Sequence, residues 1–184
     1  DAAGCRPRGR ARGRLLMREA RWLWVSLAVL AADRATKYAI ERTSPLFRHS
    51  IISDIVVLVH SQNPGIAFSM FSESKASWLT PLLVGSSLLV MILLVWVIVT
   101  GRAGGALAQC GLALILGGAA GNALDRVLHG SVTDFMEVRL WTYIWPAFNV
   151  ADSAITIAAV LVLYELLFAG RQPHAPASEK RGRV

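Results

Sequence analysis

Two carboxylates bracket one stretch of the chain, Val132–Asp152, which reads VTDFMEVRLWTYIWPAFNVAD. Asp134 lies near its start, and Asp152 closes it just inside a long apolar run. Two acids held close together cannot both ionise cheaply, so one keeps a proton. The charged member can then deprotonate a water while the protonated member donates to a carbonyl oxygen. Such a pair hydrolyses an amide without a metal or a covalent intermediate, and its apparent pKa values belong to the pair. Other chemistries find less to work with. His49, His60, His129 and His174 have no ligand spacing, and neither HExxH nor a cysteine pair occurs, so no metal or cofactor is expected. Ser72 and Ser74 beside Lys75 are loop residues without a GxSxG elbow.

The surroundings of the two aspartates point to a membrane. Trp141, Tyr143, Trp145 and Pro146 between them are the residues expected where a chain lies along a membrane–water boundary. Of the 184 residues, 54% are hydrophobic and 17% charged, with a positive mean hydropathy. The apolar residues are clustered in long runs, which predicts a polytopic membrane protein. The net charge of +7 is concentrated at the ends. Arg6, Arg8, Arg10, Arg12, Arg14, Arg18 and Arg21 precede the first apolar run, and Arg171, Lys180, Arg181 and Arg183 follow the last. This is charge that sets topology, and nucleic acid is not expected as a partner. Cys5 and Cys110 imply no disulfide framework.

Taken in order, residues 1–18 form a basic cytoplasmic tail with no apolar period, expected to be disordered. The membrane domain follows over 19–169, with spans expected at about 19–41, 78–100, 106–124 and 149–168, and a second basic tail at 170–184. Asp33 falls ~18 Å along the first helix from Arg21, in the outer half of the bilayer, with Lys37 one turn later on the same face. Between the first two helices, 42–77 is expected to hold a small outer sheet. Ile51–His60 reads as one strand, Asn63-Pro64-Gly65 as a turn, and Ile66–Phe71 as a returning strand. Gly117, Gly118 and Gly121 permit close helix contact in the third span. Asn122 and Arg126 share a face there, with Asp125 adjacent. Residues 127–148 are expected as an outer loop. Glu165, near the inner end of the last helix, is assigned no chemistry. Four spans put both termini in the cytoplasm and gather the polar groups of five segments toward the outer face.

By spacing alone, three readings stand. The acids could form a catalytic pair, could pair with Lys37, Arg126 or Arg139 to hold helices together, or could serve a small proton- or ion-coupled carrier. Against the carrier, there are four spans, no inverted repeat and no polar residue in the middle of the second helix.

The order of motifs favours catalysis. Asp33-Arg-Ala-Thr-Lys37, Asn63-Pro-Gly-Ile-Ala-Phe68, Gly117-Gly-Ala-Ala-Gly-Asn-Ala-Leu-Asp-Arg126, Val132-Thr-Asp-Phe135 and Trp145-Pro-Ala-Phe-Asn-Val-Ala-Asp152 occur in that sequence. Together they resemble DxxTK, NxGxAF, GGAxGNxxDR, VxDF and FNxAD of the lipoprotein signal peptidases (signal peptidase II), aspartic peptidases of the bacterial inner membrane. Ile66 stands where a smaller residue is common, and the Arg-rich head is long. The chain is thus expected to be an all-α protein of four transmembrane helices with a small extracytoplasmic β-sheet, acting as a monomer. The resemblance implies Asp134 and Asp152 as the catalytic dyad, with Asn63, Gly65, Phe68, Asn122, Arg126 and Asn149 positioning substrate, and Asp33, Lys37 and Asp125 bracing the site. It further implies cleavage of prolipoproteins just before a lipobox cysteine carrying diacylglycerol, contact with membrane lipid, and sensitivity to globomycin.

Overall fold

The computed structural model describes residues 19–65 and 78–168. Among the described residues the main elements follow one another as α1 (Leu23–Glu41), β1 (Arg48–Ile52), β2 (Val56–Asn63), α2 (Leu79–Val99), α3 (Ala106–His129), β3 (Val132–Leu140), β4 (Tyr143–Phe148) and α4 (Val150–Phe168). Three of the helices, α2, α3 and α4, are long and apolar enough to cross a membrane. In α1, Asp33, Arg34, Lys37 and Glu41 interrupt the apolar run.

α3 is the central helix, packed against α1, α2 and α4. Its glycines allow this. A Cβ on Gly117 would stand 2.6 Å from the Ser26 carbonyl oxygen of α1, and one on Gly118 would stand 2.6 Å from the Ala151 oxygen of α4. The hydroxyl of Ser26 donates to the Ala113 carbonyl at 2.8 Å, tying α1 to α3 at the same level. α3 outruns the expected end at Leu124 because Asn122, Asp125 and Arg126 point into protein contacts rather than terminating the helix. It stops at Gly130, whose φ of 75° lets its amide return to the Arg126 carbonyl. Near the opposite end, Glu165 of α4 accepts from the Gly105 and Ala108 amides, capping the free N–H groups of α3. The sequence alone assigned it no such part.

The sheet differs from expectation in two ways. Ile51–His60 is not one strand: Ser53 and Asp54 take positive φ and turn the chain between β1 and β2. The segment 127–148, expected as a loop, supplies half the sheet as the hairpin β3–β4. The sheet is antiparallel in the order β1-β2-β3-β4, so it draws on two separate parts of the chain, not only on the stretch after the first helix. Pro146 is tolerated because β4 is an edge strand. The possible strand Ile66–Phe71 lies outside the described residues.

Candidate active site

β3 leaves α3 after only Gly130 and Ser131, and β4 leads into α4 through Asn149. This short connectivity brings Asp134 on β3 and Asp152 in the first turn of α4 to one cavity of about 780 Å³. Asn63, Asn122 and Arg126 also line it, and so do Leu83, Ser86 and Ser87 of α2. Asp134 is buried and Asp152 half-buried.

Each aspartate is held by side-chain amides. Asn63 Nδ2 donates to Asp134 Oδ2 at 3.1 Å, and Asn149 Nδ2 donates to Asp134 Oδ1 at 2.6 Å. Asn149 precedes α4, and its Oδ1 accepts the Asp152 amide at 2.9 Å as an N-cap. Asn122 Nδ2 donates to Asp152 Oδ1 at 2.9 Å. Burial pushes the Asp134 carboxyl up to about 7, and the charge of Asp152 adds to that, against the opposing hydrogen bonds from Asn63 and Asn149. A proton is thus available on the pair near neutral pH.

Behind the cavity lies a buried ionic cluster. Lys37 Nζ reaches Asp33 Oδ2 at 2.8 Å, Asp125 Oδ2 at 2.9 Å and Asn122 Oδ1 at 2.9 Å, and both Asp33 and Lys37 are fully buried. Asp33 Oδ1 accepts the Ala151 amide at 2.9 Å, a second cap on α4 from α1. Asp125 Oδ2 accepts the Thr133 amide at 3.1 Å, fixing the residue before Asp134. Asp125 has a partner on both oxygens, whereas Asp33 Oδ2 has the charge of Lys37 beside it but no hydrogen bond among the described residues; the ion pairing is what makes the burial of these acids tolerable.

Arg126 donates to the Asn122 carbonyl at 3.1 Å and to the Gly65 carbonyl at 2.9 Å, while its buried Nε has no hydrogen-bond partner among the described residues. The Gly65 amide in turn donates to Asn63 Oδ1 at 3.0 Å, so the Asn-Pro-Gly turn is wired into the site. Ten of the eleven residues singled out from the sequence therefore join one connected network. The eleventh, Phe68, lies outside the described residues. Sequence reasoning passed over Arg34, Glu41 and Thr133. Arg34 and Glu41 flank Lys37 at helical spacing, a signal that was available. Glu41, Asp125 and His129 bring possible metal-ligand atoms within 4.8 Å of one another, but Arg34 already bridges the two acids and Lys37 engages Asp125.

The comparisons agree with one another. The family described as signal peptidase (SPase) II matches residues 25–168. The chain is 38% identical over 162 residues to the lipoprotein signal peptidase of Solibacter usitatus, covering 85% of this chain and 97% of that one. It is 39% identical over 150 residues to the lipoprotein signal peptidase of Janthinobacterium sp. (strain Marseille), covering 79% and 87%. Two solved structures described as bacterial membrane enzymes are similar. One has a TM-score of 0.74 at 25% identity, covering 86% of this chain and 95% of that one. The other has a TM-score of 0.72 at 26% identity, covering 81% and 94%. None of these similarities supports a carrier.

Proposed function

The chain belongs to the signal peptidase II family, and from that premise we propose that it is an aspartic endopeptidase that removes the signal peptide from prolipoproteins. The bond cut is the one just before the diacylglyceryl-modified lipobox cysteine. The observation that carries this reading is that Asp134 and Asp152 face one cavity, each oriented by its own asparagine donor.

The chemistry follows from the pair. Asp134, the more buried member, with its carboxyl raised to about 7, keeps the proton and donates it to the scissile carbonyl oxygen. Asp152 takes a proton from a water whose oxygen attacks the carbonyl carbon. The resulting tetrahedral diol collapses as the amide nitrogen accepts a proton, breaking the C–N bond to give a new carboxyl group and a new amine. The Arg126 guanidinium lines the cavity and offers its positive charge to a substrate carbonyl.

Topology and access belong to the same reading. α1 is the fourth span: its charged residues Asp33 and Lys37 are buried against α3 rather than turned to lipid. Both termini lie in the cytoplasm, where the basic tails belong, and the aspartates lie near the outer face of the inner membrane. Leu83 of α2 and Ile157 of α4 both line the cavity, so it is bounded by helices that themselves face lipid. A diacylglyceryl chain can therefore stay in the bilayer while its peptide enters. The enzyme acts as a monomer.

The test is a gel-shift assay with purified protein and a lipid-modified prolipoprotein. Cleavage is expected to survive EDTA, to stop with globomycin, and to be absent from Asp134→Asn and Asp152→Asn proteins that still fold. Retained turnover in either variant removes that residue from the dyad.

A further inference from the structure

We propose that Arg34, held in place by Glu41, is a positioning residue for both catalytic aspartates, an inference that rests on the dyad reading above. Arg34 lies on α1 between the solvent edge and the buried cluster. Its Nη1 reaches Asp125 Oδ1 at 2.6 Å and its Nη2 reaches Glu41 Oε2 at 2.7 Å. The guanidinium fork thus spans two carboxylates at once, which an ammonium group cannot do with fixed geometry.

Two arms run from this bridge to the reacting groups. In the first, Arg34 occupies Oδ1 of Asp125 and leaves only Oδ2 for Lys37, at 2.9 Å. Lys37 has three N–H donors. Nζ lies within 2.9 Å of oxygens of Asp33, Asp125 and Asn122, as ion pairs with the two acids and as a hydrogen bond to Asn122. That hydrogen bond fixes the Asn122 amide with its oxygen on Lys37 and its nitrogen on Asp152. Without Arg34, both oxygens of Asp125 compete for Lys37, and the donor aimed at Asn122 is the one free to move. The Asn122 amide then loses the contact that sets its orientation.

The second arm passes through Thr133. Its hydroxyl donates to Glu41 Oε1 at 3.3 Å, its amide donates to Asp125 Oδ2 at 3.1 Å, and its carbonyl accepts from Asn149 at 3.4 Å. Thr133 immediately precedes Asp134, so the Arg34–Glu41–Asp125 bridge fixes the backbone that carries it. Arg34 and Glu41 are partly exposed, with 24% and 19% of their side chains open to solvent, and the fully buried Asp125 keeps Lys37 and the Thr133 amide as partners when Arg34 is replaced.

The experiment compares kcat and KM for Arg34→Gln, Arg34→Lys and Glu41→Gln in nanodiscs, using a diacylglyceryl prolipoprotein peptide. Arg34→Gln is expected to lower kcat about tenfold with KM unchanged, since substrate still binds while the reacting groups are misaligned. Arg34→Lys is expected to recover part of that loss. The deciding measurement repeats Arg34→Gln in an Asn122→Ala background, where it should add only about threefold, because the Asn122 arm is already cut and the Thr133 arm alone is left to lose. A loss carried wholly by KM, or the full tenfold loss repeated without Asn122, overturns the proposal. If Asn122→Ala is too slow to time, the kcat–KM split and the lysine recovery decide it. Asp152→Asn is run in parallel. Cleavage by that variant would overturn the dyad and this inference together, whereas additive losses beside an inactive Asp152→Asn would overturn the positioning role alone.

Discussion

Asn149 donates its side-chain amide to Asp134 at 2.6 Å, and its oxygen caps the helix whose third residue is Asp152. One side chain therefore sets both the orientation of one aspartate and the backbone position of the other. Asn149→Ala should lower turnover about a hundredfold, by misplacing both reacting groups. It should also cost about 1 kcal/mol through the lost cap. Cleavage kinetics and a thermal-shift curve on the same preparation read the two effects separately.

The Asp134 carboxyl gives a sign for the pH dependence. Its value of about 7 lies above the ordinary 3.8, so the folded protein holds this proton more tightly than an unfolded chain does. Stability from this group is full below the unfolded value and falls as pH rises through the folded one. Activity should decline on the alkaline side near 7, where the proton is lost. Asn63→Ala removes a donor that favours the charged form, so the alkaline limb should move upward. A pH–rate profile of the two proteins checks the direction, and a downward shift would contradict it.

Removing the neighbouring charge should do the reverse. In Asp152→Asn the second-largest cause of the Asp134 shift disappears, and its titration should move down from about 7. Carbon-13 NMR of labelled aspartate can follow this in the variant. An unmoved titration would mean that burial alone raises it.

The glycines of α3 separate packing from helix propensity. A Cβ on Gly118 would meet the Ala151 oxygen at 2.6 Å, whereas one on Gly85 of α2 would meet nothing within 4 Å. Gly118→Ala should destabilise by about 1–3 kcal/mol through forced separation of α3 and α4. Gly85→Ala should be neutral or stabilising by up to about 1 kcal/mol. Thermal unfolding in detergent distinguishes them.

Much of the site was readable in the sequence because its polar residues sit in long apolar runs, where each one stands out. Asp33, Lys37, Asn122, Asp125 and Asp152 are conspicuous for this reason, and the structure joins them in one network. The sheet was harder to read. Its second hairpin turns at Trp141, a non-glycine residue with φ of 50°, and its edge strand contains Pro146, so the usual turn and strand signals are missing. The single strand expected at Ile51–His60 failed for a related reason: the turn at Ser53–Asp54 interrupts a run of β-branched residues without a glycine or proline. Arg34 and Glu41 were passed over because charges near the end of a helix are usually solvated, and only the fold brings Asp125 to them.

The bond between Asp33 and the Ala151 amide joins residues 118 positions apart. At ribosomal speeds of ~5–20 residues per second, the first partner waits on the order of ten seconds for the second. Until α4 arrives, α1 carries a carboxylate lacking its distant amide, and the chain still has only one of its two aspartates in place. On the dyad reading, a nascent polypeptide therefore holds an incomplete pair until α4 has been made.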